Sequence, residues 1–170
     1  MIFSGGLMIN FLSITGTIST IEDFWINESQ ESLGCYKLIS LQDDSGNTTN
    51  FVVAPETYIL NNDILLPGDR ITGYYDGNAP VPLIYPPQYR ALVMHKAQSF
   101  PNIKVGYFNN QLISSDNQLK LNLSPTTLIV IRNGLLFSRN PINHNLIVIY
   151  GPTTRSIPAQ TSPYKIIVLC

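Results

Sequence analysis

Two histidines, His95 and His144, and two cysteines, Cys35 and Cys170, are the only imidazoles and thiols in 170 residues. Two thiols need histidine help to make a zinc site. Neither histidine stands in a CxxC or HxxxH spacing, so no metal site and no cofactor is expected. Cys35 and Cys170 are candidates for a disulfide, within the chain or between chains, or else two ordinary thiols. Serine, histidine and aspartate all occur, yet no GxSxG elbow presents a nucleophile and no GxxxxGK loop cradles a phosphate. Glu22, Asp23, Glu28 and Glu31 surround Trp25. Paired carboxylates beside an aromatic could do acid–base work on a sugar. A solvated loop around one buried tryptophan accounts for the same residues. Asp43-Asp44-Ser45-Gly46-Asn47 resembles a calcium loop but lacks the closing glutamate, and a β-turn explains every residue in it. The chain reads as a non-enzyme.

Tyrosines cluster at Tyr74, Tyr75, Tyr85, Tyr89, Tyr150 and Tyr164, and exposed rings near Arg90, Arg155 or Lys165 could stack bases. The charge argues against it. Lys plus Arg number 10, Asp plus Glu 11, and only 12% of residues are charged. That is about half the usual share. Binding would lack the counterion release that dominates nucleic-acid affinity, so nucleic acid is not an expected partner. An apolar share of 44% excludes a disordered chain. No run approaches the roughly 20 apolar residues of a membrane span. The opening MIFSGGLMINFLSITGTI has no Lys or Arg ahead of its apolar residues, so no cleavable signal is expected. The expectation is a soluble chain made in the cytoplasm. Its low charge and many Asn and Thr residues also suit a surface or envelope assembly. Residues 1–8 form an apolar arm, with Met1, Ile2, Phe3 and Leu7 as contact candidates.

The elements that must position these groups are strands. Alanine occurs five times, and Glu-Lys pairs at helical spacing are missing. Twelve prolines and eleven glycines punctuate stretches rich in Ile, Val, Thr, Tyr and Phe, whose shapes suit a pleated surface. The class is all-β. Strands are expected at Asn10 to Ile21, Tyr36 to Gln42, Thr49 to Ala54, Arg70 to Tyr75 and Tyr89 to His95. The second and third form a hairpin about the Asp43–Asn47 turn. Glu56 to Asn62 is a helical turn or a crossing loop. Proline-rich connectors run from Ala79 to Pro87 and from Gly151 to Pro163. Prolines lose little entropy on ordering, so both connectors suit rigid contact surfaces.

The second half repeats the first. Val53-Ala54-Pro55-Glu56-Thr57-Tyr58-Ile59 lines up with Leu123-Ser124-Pro125-Thr126-Thr127-Leu128-Ile129, and Ile14 to Ile18 with Lys104 to Phe108 about Gly16 and Gly106. The strand ending at Tyr75 lines up with the one ending at Tyr150, and Tyr89 to Met94 with Tyr164 to Leu169. The second half is about 20 residues shorter before Pro125 and five longer between Pro125 and Tyr150. Residues 9–96 and 97–170 are the expected units.

The first unit resembles an oligonucleotide/oligosaccharide-binding (OB) fold. The resemblance rests on a long first strand with an internal Gly16, a hairpin, a short link, and Leu66-Pro67-Gly68-Asp69-Arg70-Ile71-Thr72-Gly73 leading into the next strand. It covers the second unit weakly, whose hairpin at Gln111 to Leu123 is short. It implies two tandem OB-like β-barrel or β-sandwich units from an internal duplication, and no catalytic residues. The expected function is structural: self-association or docking on a protein partner. The contact residues are the arm and Tyr75, Tyr85, Tyr89, Arg90, Tyr150 and Tyr164. The alternative is an OB-type module for glycan or single-stranded nucleic acid.

Overall fold

The computed structural model describes residues 7–25 and 33–170; Met1, Ile2, Phe3, Glu28 and Glu31 lie outside them. Among the described residues the fold is all-β, with a 3-10 turn at Leu60–Asn62. No helix of these residues is long and apolar enough to cross a membrane. The chain divides into two compact units, Phe11–Ala97 on one side and 7–10 with 98–170 on the other.

The first unit holds β1 (Phe11–Asp23), β2 (Lys37–Gln42), β3 (Thr48–Val53), β4 (Tyr58–Ile59), β5 (Arg70–Asp76), β6 (Gln88–Arg90) and β7 (Val93–Lys96), in the sheet order β4-β7-β5-β1-β2-β3-β6. β1 is long because it serves two partners. Its first half pairs with β5 and its second with β2, with a register shift between Ile18 and Thr20. The switch brings backbone close to backbone. A Cβ on Gly16 would stand 2.6 Å from the Gln42 carbonyl oxygen, so only glycine fits. The Leu66–Asp69 turn hooks on at the same place, where Ile18 N–H donates to Asp69 O and Gly68 N–H to Ile18 O. Gly68 takes a φ of 95°, the left-handed conformation this turn requires. Ile18, Ile39, Leu41, Phe51, Ile71, Ala91 and Met94 form the buried core.

The second unit holds β8 (Asn102–Phe108), β9 (Leu119–Leu121), β10 (Leu128–Ile131), β11 (His144–Tyr150), β12 (Ala159–Thr161) and β13 (Lys165–Val168). Its sheets run β10-β13-β11-β8 and β12-β9. Isolated bridges Phe108↔Ser114 and Ile113↔Lys120 link them in the order of the first unit, with residues 113–114 where β2 would be. Strand directions agree as well. β4–β7, β10–β13, β3–β6 and β9–β12 are parallel, and the β1–β5, β5–β7, β8–β11 and β11–β13 pairs antiparallel. Its core is Phe108, Leu112, Leu119, Leu121, Leu146, Val148, Ile166 and Val168.

Register makes the correspondence specific. Gly16 faces Ile71 as Gly106 faces Leu146, and Tyr75 faces Leu12 as Tyr150 faces Asn102. The Pro-x-Thr segments build the same clasp. Thr57 Oγ1 accepts from Ala54 N–H and donates to Ala91 O, while Thr127 Oγ1 accepts from Ser124 N–H and donates to Pro163 O. One alignment read from the sequence is corrected. Tyr89 faces Phe51 as Thr161 faces Leu121, so Tyr164 matches Leu92 and the tyrosine pairing was three residues out of register. Tyr89 to His95 is also not one strand. It breaks between Arg90 and Val93, where Ala91 N–H donates to Val52 O and Leu92 N–H to Tyr74 O.

Candidate interaction surfaces

The connector between β5 and β6 rises from a firm base. Tyr75 and Tyr89 stack at 3.9 Å and 14°, and both lean on Phe51, at 6.1 and 6.3 Å. Burial, followed by the neighbouring Tyr89 hydroxyl, pushes the Tyr75 phenol above its ordinary pKa. Asn50 N–H donates to Pro87 O, Asn78 N–H to Asp76 Oδ1 and Ala79 N–H to Asp76 O, which pins both feet. The tip is different in kind. Val81, Leu83, Ile84 and Tyr85 are 43, 100, 54 and 84% exposed, and no residue from 77 to 89 carries a charge. An apolar run this exposed on a pinned loop is a contact surface in chemical character.

The matching connector of the second unit closes on itself. Thr154 N–H donates to Gln160 O, Gln160 N–H to Thr154 Oγ1, and Thr161 Oγ1 to Pro152 O. Ile157, 84% exposed, stands there before Pro158 as Tyr85 does before Pro86. The second unit has its own elaboration, a hairpin over residues 128–137. Ile131 N–H donates to Leu135 O and Phe137 N–H to Ile129 O. Ile129, Ile131 and Phe137 pack on the core, whereas Leu128, Leu135 and Leu136 are exposed.

The other candidates fall into place separately. Arg90 forms an exposed ion pair with Glu56. Tyr150 is half-buried against the core, its pKa raised by burial and then by Asp116. Tyr164 is half-exposed. Cys35 and Cys170 are both exposed. The arm is anchored rather than loose where it is described. Asn145 Nδ2 donates to Leu7 O and Ile9 N–H donates to Asn145 Oδ1, leaving the Leu7 side chain outward. Trp25 is exposed, which corrects the expectation of a buried tryptophan, because Phe51 and not Trp25 fills the first core.

The chemistry-bearing groups are engaged in local structure. His95 donates Nδ1–H to Lys96 O and meets Tyr74 Oη at 2.9 Å through Nε2. Burial pushes its pKa down, and the backbone hydrogen bond opposes this only in part. His144 bonds the Ile142 carbonyl. Asp43 Oδ1 accepts from Ser45 and Asn47 N–H, closing the β-turn, while Asp44 takes Arg70 in a two-pronged pair. Burial alone would raise the Asp116 pKa, but Lys104, Ser114 and the Gln118 N–H more than offset it, and the carboxyl sits below its usual range. Among the described residues no cluster of His, Cys, Asp and Glu could hold a metal ion.

Sequence composition pointed to the prolines and tyrosines but not to the 128–137 hairpin. Its signal was available: Asn133-Gly134, a turn pair, stands between apolar runs. No family model, no curated protein and no solved structure matches this chain.

Proposed function

We propose that this is a non-enzymatic assembly protein that self-associates through apolar surfaces mounted on β-units. The observation that carries it is the 81–85 tip. Four large apolar side chains stand in solvent on a loop with no charge, above a tyrosine stack that fixes its base. A net charge of −1 adds little repulsion between copies. Sedimentation velocity over a concentration series tests this. The wild-type coefficient should rise with concentration, and Leu83→Ser with Tyr85→Ser should flatten it.

We further read each unit as an OB-like five-stranded barrel, duplicated in tandem. Support comes from the β1-β2-β3 meander, the parallel β3–β6 pair, and the way 88–96 serves β3 with its first half and β5 with its second. A solenoid-like stacking of short strands is the second reading, favoured by the four parallel pairs. It predicts graded unfolding, whereas two barrels predict two cooperative units. The glycan or single-strand alternative has less behind it, since Tyr75 and Tyr89 spend ring faces on each other.

A further inference from the structure

The two units share one strand order, so their differences are informative. Each carries one apolar elaboration that the other lacks. From Tyr75 to Tyr89 the first unit is three residues longer than the second from Tyr150 to Thr161, and this loop carries Leu83 and Ile84. Between Pro125 and Tyr150 the second unit is five residues longer than the first between Pro55 and Tyr75, and that stretch carries Leu135 and Leu136. One elaboration projects as a knob. The other is a hairpin face, with Leu128, Leu135 and Leu136 at 46, 64 and 73% exposed.

We infer that the knob Val81–Tyr85 of one copy docks on the Leu128, Leu135 and Leu136 patch of a second copy. The contact is head-to-tail, and it rests on the self-association proposed above. Neither 77–89 nor 133–137 contains a charged residue, so the surfaces match in desolvation cost. The knob's lack of Lys and Arg removes the electrostatic attraction an anionic lipid surface would offer. At the stated exposures the knob presents on the order of 400 Å² of apolar surface, the size of a contact patch on a monomer. A standard stable interface takes about 800 Å² per partner, so the contact is reversible and grows with concentration. Different surfaces on the two sides make it heterologous. Such contacts extend into open chains or close into rings rather than stopping at a two-fold dimer.

The test is a mixing experiment with the full chain, read by light-scattering mass. One variant loses the knob (Leu83→Ser, Tyr85→Ser), the other the patch (Leu135→Ser, Leu136→Ser). All four residues are exposed, and circular dichroism of each variant verifies the fold. Wild-type mass should grow with concentration, and each variant alone should stay at 18.9 kDa. An equimolar mixture should give a one-to-one pair and nothing larger, because only one competent knob and one competent patch can meet. Removing a buried Leu weakens association by about tenfold or more, so the variants' plateaus are distinguishable from wild type. In a second pair, Leu83→Lys should associate with Leu136→Glu and not with itself. If wild type grows and the variants grow equally, the pairing is wrong while self-association stands. A mixture no heavier than its components likewise overturns the pairing. A wild type fixed at the monomer mass overturns both.

Discussion

Replacing Thr57 by Val tests the joint on which both units are built. Valine keeps the shape of threonine and removes the hydroxyl. Two hydrogen bonds vanish, from Ala54 N–H at 3.0 Å and to Ala91 O at 2.8 Å. Ala54 and Ala91 are 5 and 2% exposed, so water cannot readily replace them. Each bond contributes about 1 kcal/mol net, and a buried group left unsatisfied costs about 1–3 kcal/mol. The expected loss is about 2–4 kcal/mol. Thr127→Val should cost less, about 1–2 kcal/mol. Its bond from Ser124 N–H is longer, at 3.3 Å, and the Ser124 hydroxyl lies 3.3 Å away as a partial substitute. Hydrogen exchange read by mass spectrometry separates peptides of 11–97 from those of 98–170. Thr57→Val should speed exchange in the first set, and Thr127→Val in the second. Thermal unfolding gives the magnitude, since about 1 kcal/mol moves Tm by about 4–8 °C in a domain of this size. A Thr57→Val loss below about 0.5 kcal/mol would refute the claim that the clasp is a buried, shared joint.

The matched glycines should respond in opposite ways. Gly16→Ala meets backbone at 2.6 Å and should cost about 2 kcal/mol or more, whereas Gly106→Ala meets nothing within 4 Å and should stay within about 0.5 kcal/mol by urea denaturation. His95 supplies a pH dependence. Its folded pKa lies below the ordinary value of 6.5, so the folded state binds fewer protons. The stability it contributes is present above 6.5 and is lost as pH falls from there towards the folded pKa. Urea midpoints should drop across that window, and the drop should shrink in His95→Gln. An unchanged slope in the variant would count against the assignment.

Much of the fold was legible because its punctuation is chemical. The Asp43–Asn47 turn, the Gly68 hook and the two Pro-x-Thr segments each have one residue type that the local geometry demands. The repeat was legible at Gly16 and Gly106 for the same reason. It misled at the tyrosines, where a spacing of identical residues replaced a pairing argument. Tyr89 lies over a core ring and Tyr164 lies beside the clasp, and no local pattern distinguishes them. The break at Arg90–Val93 was hidden as well, since both halves of that stretch suit a strand. The loss of β2 in the second unit was legible only as a short hairpin. Asn109 and Ser114 side chains cap the replacement, and Gly106 is left without the crossing that constrains Gly16. Exposure of the 81–85 tip follows from which strands pin the loop's feet, a long-range property that composition does not carry.

Self-association is the claim on which the functional account turns, and light-scattering molar mass of the wild-type chain after size exclusion, taken from low to high micromolar concentration with and without reductant, tests it most directly. The account predicts a mass that climbs above 18.9 kDa as concentration rises, in reductant as well as without it, because the contact is apolar rather than covalent. A mass fixed at 18.9 kDa throughout would contradict it.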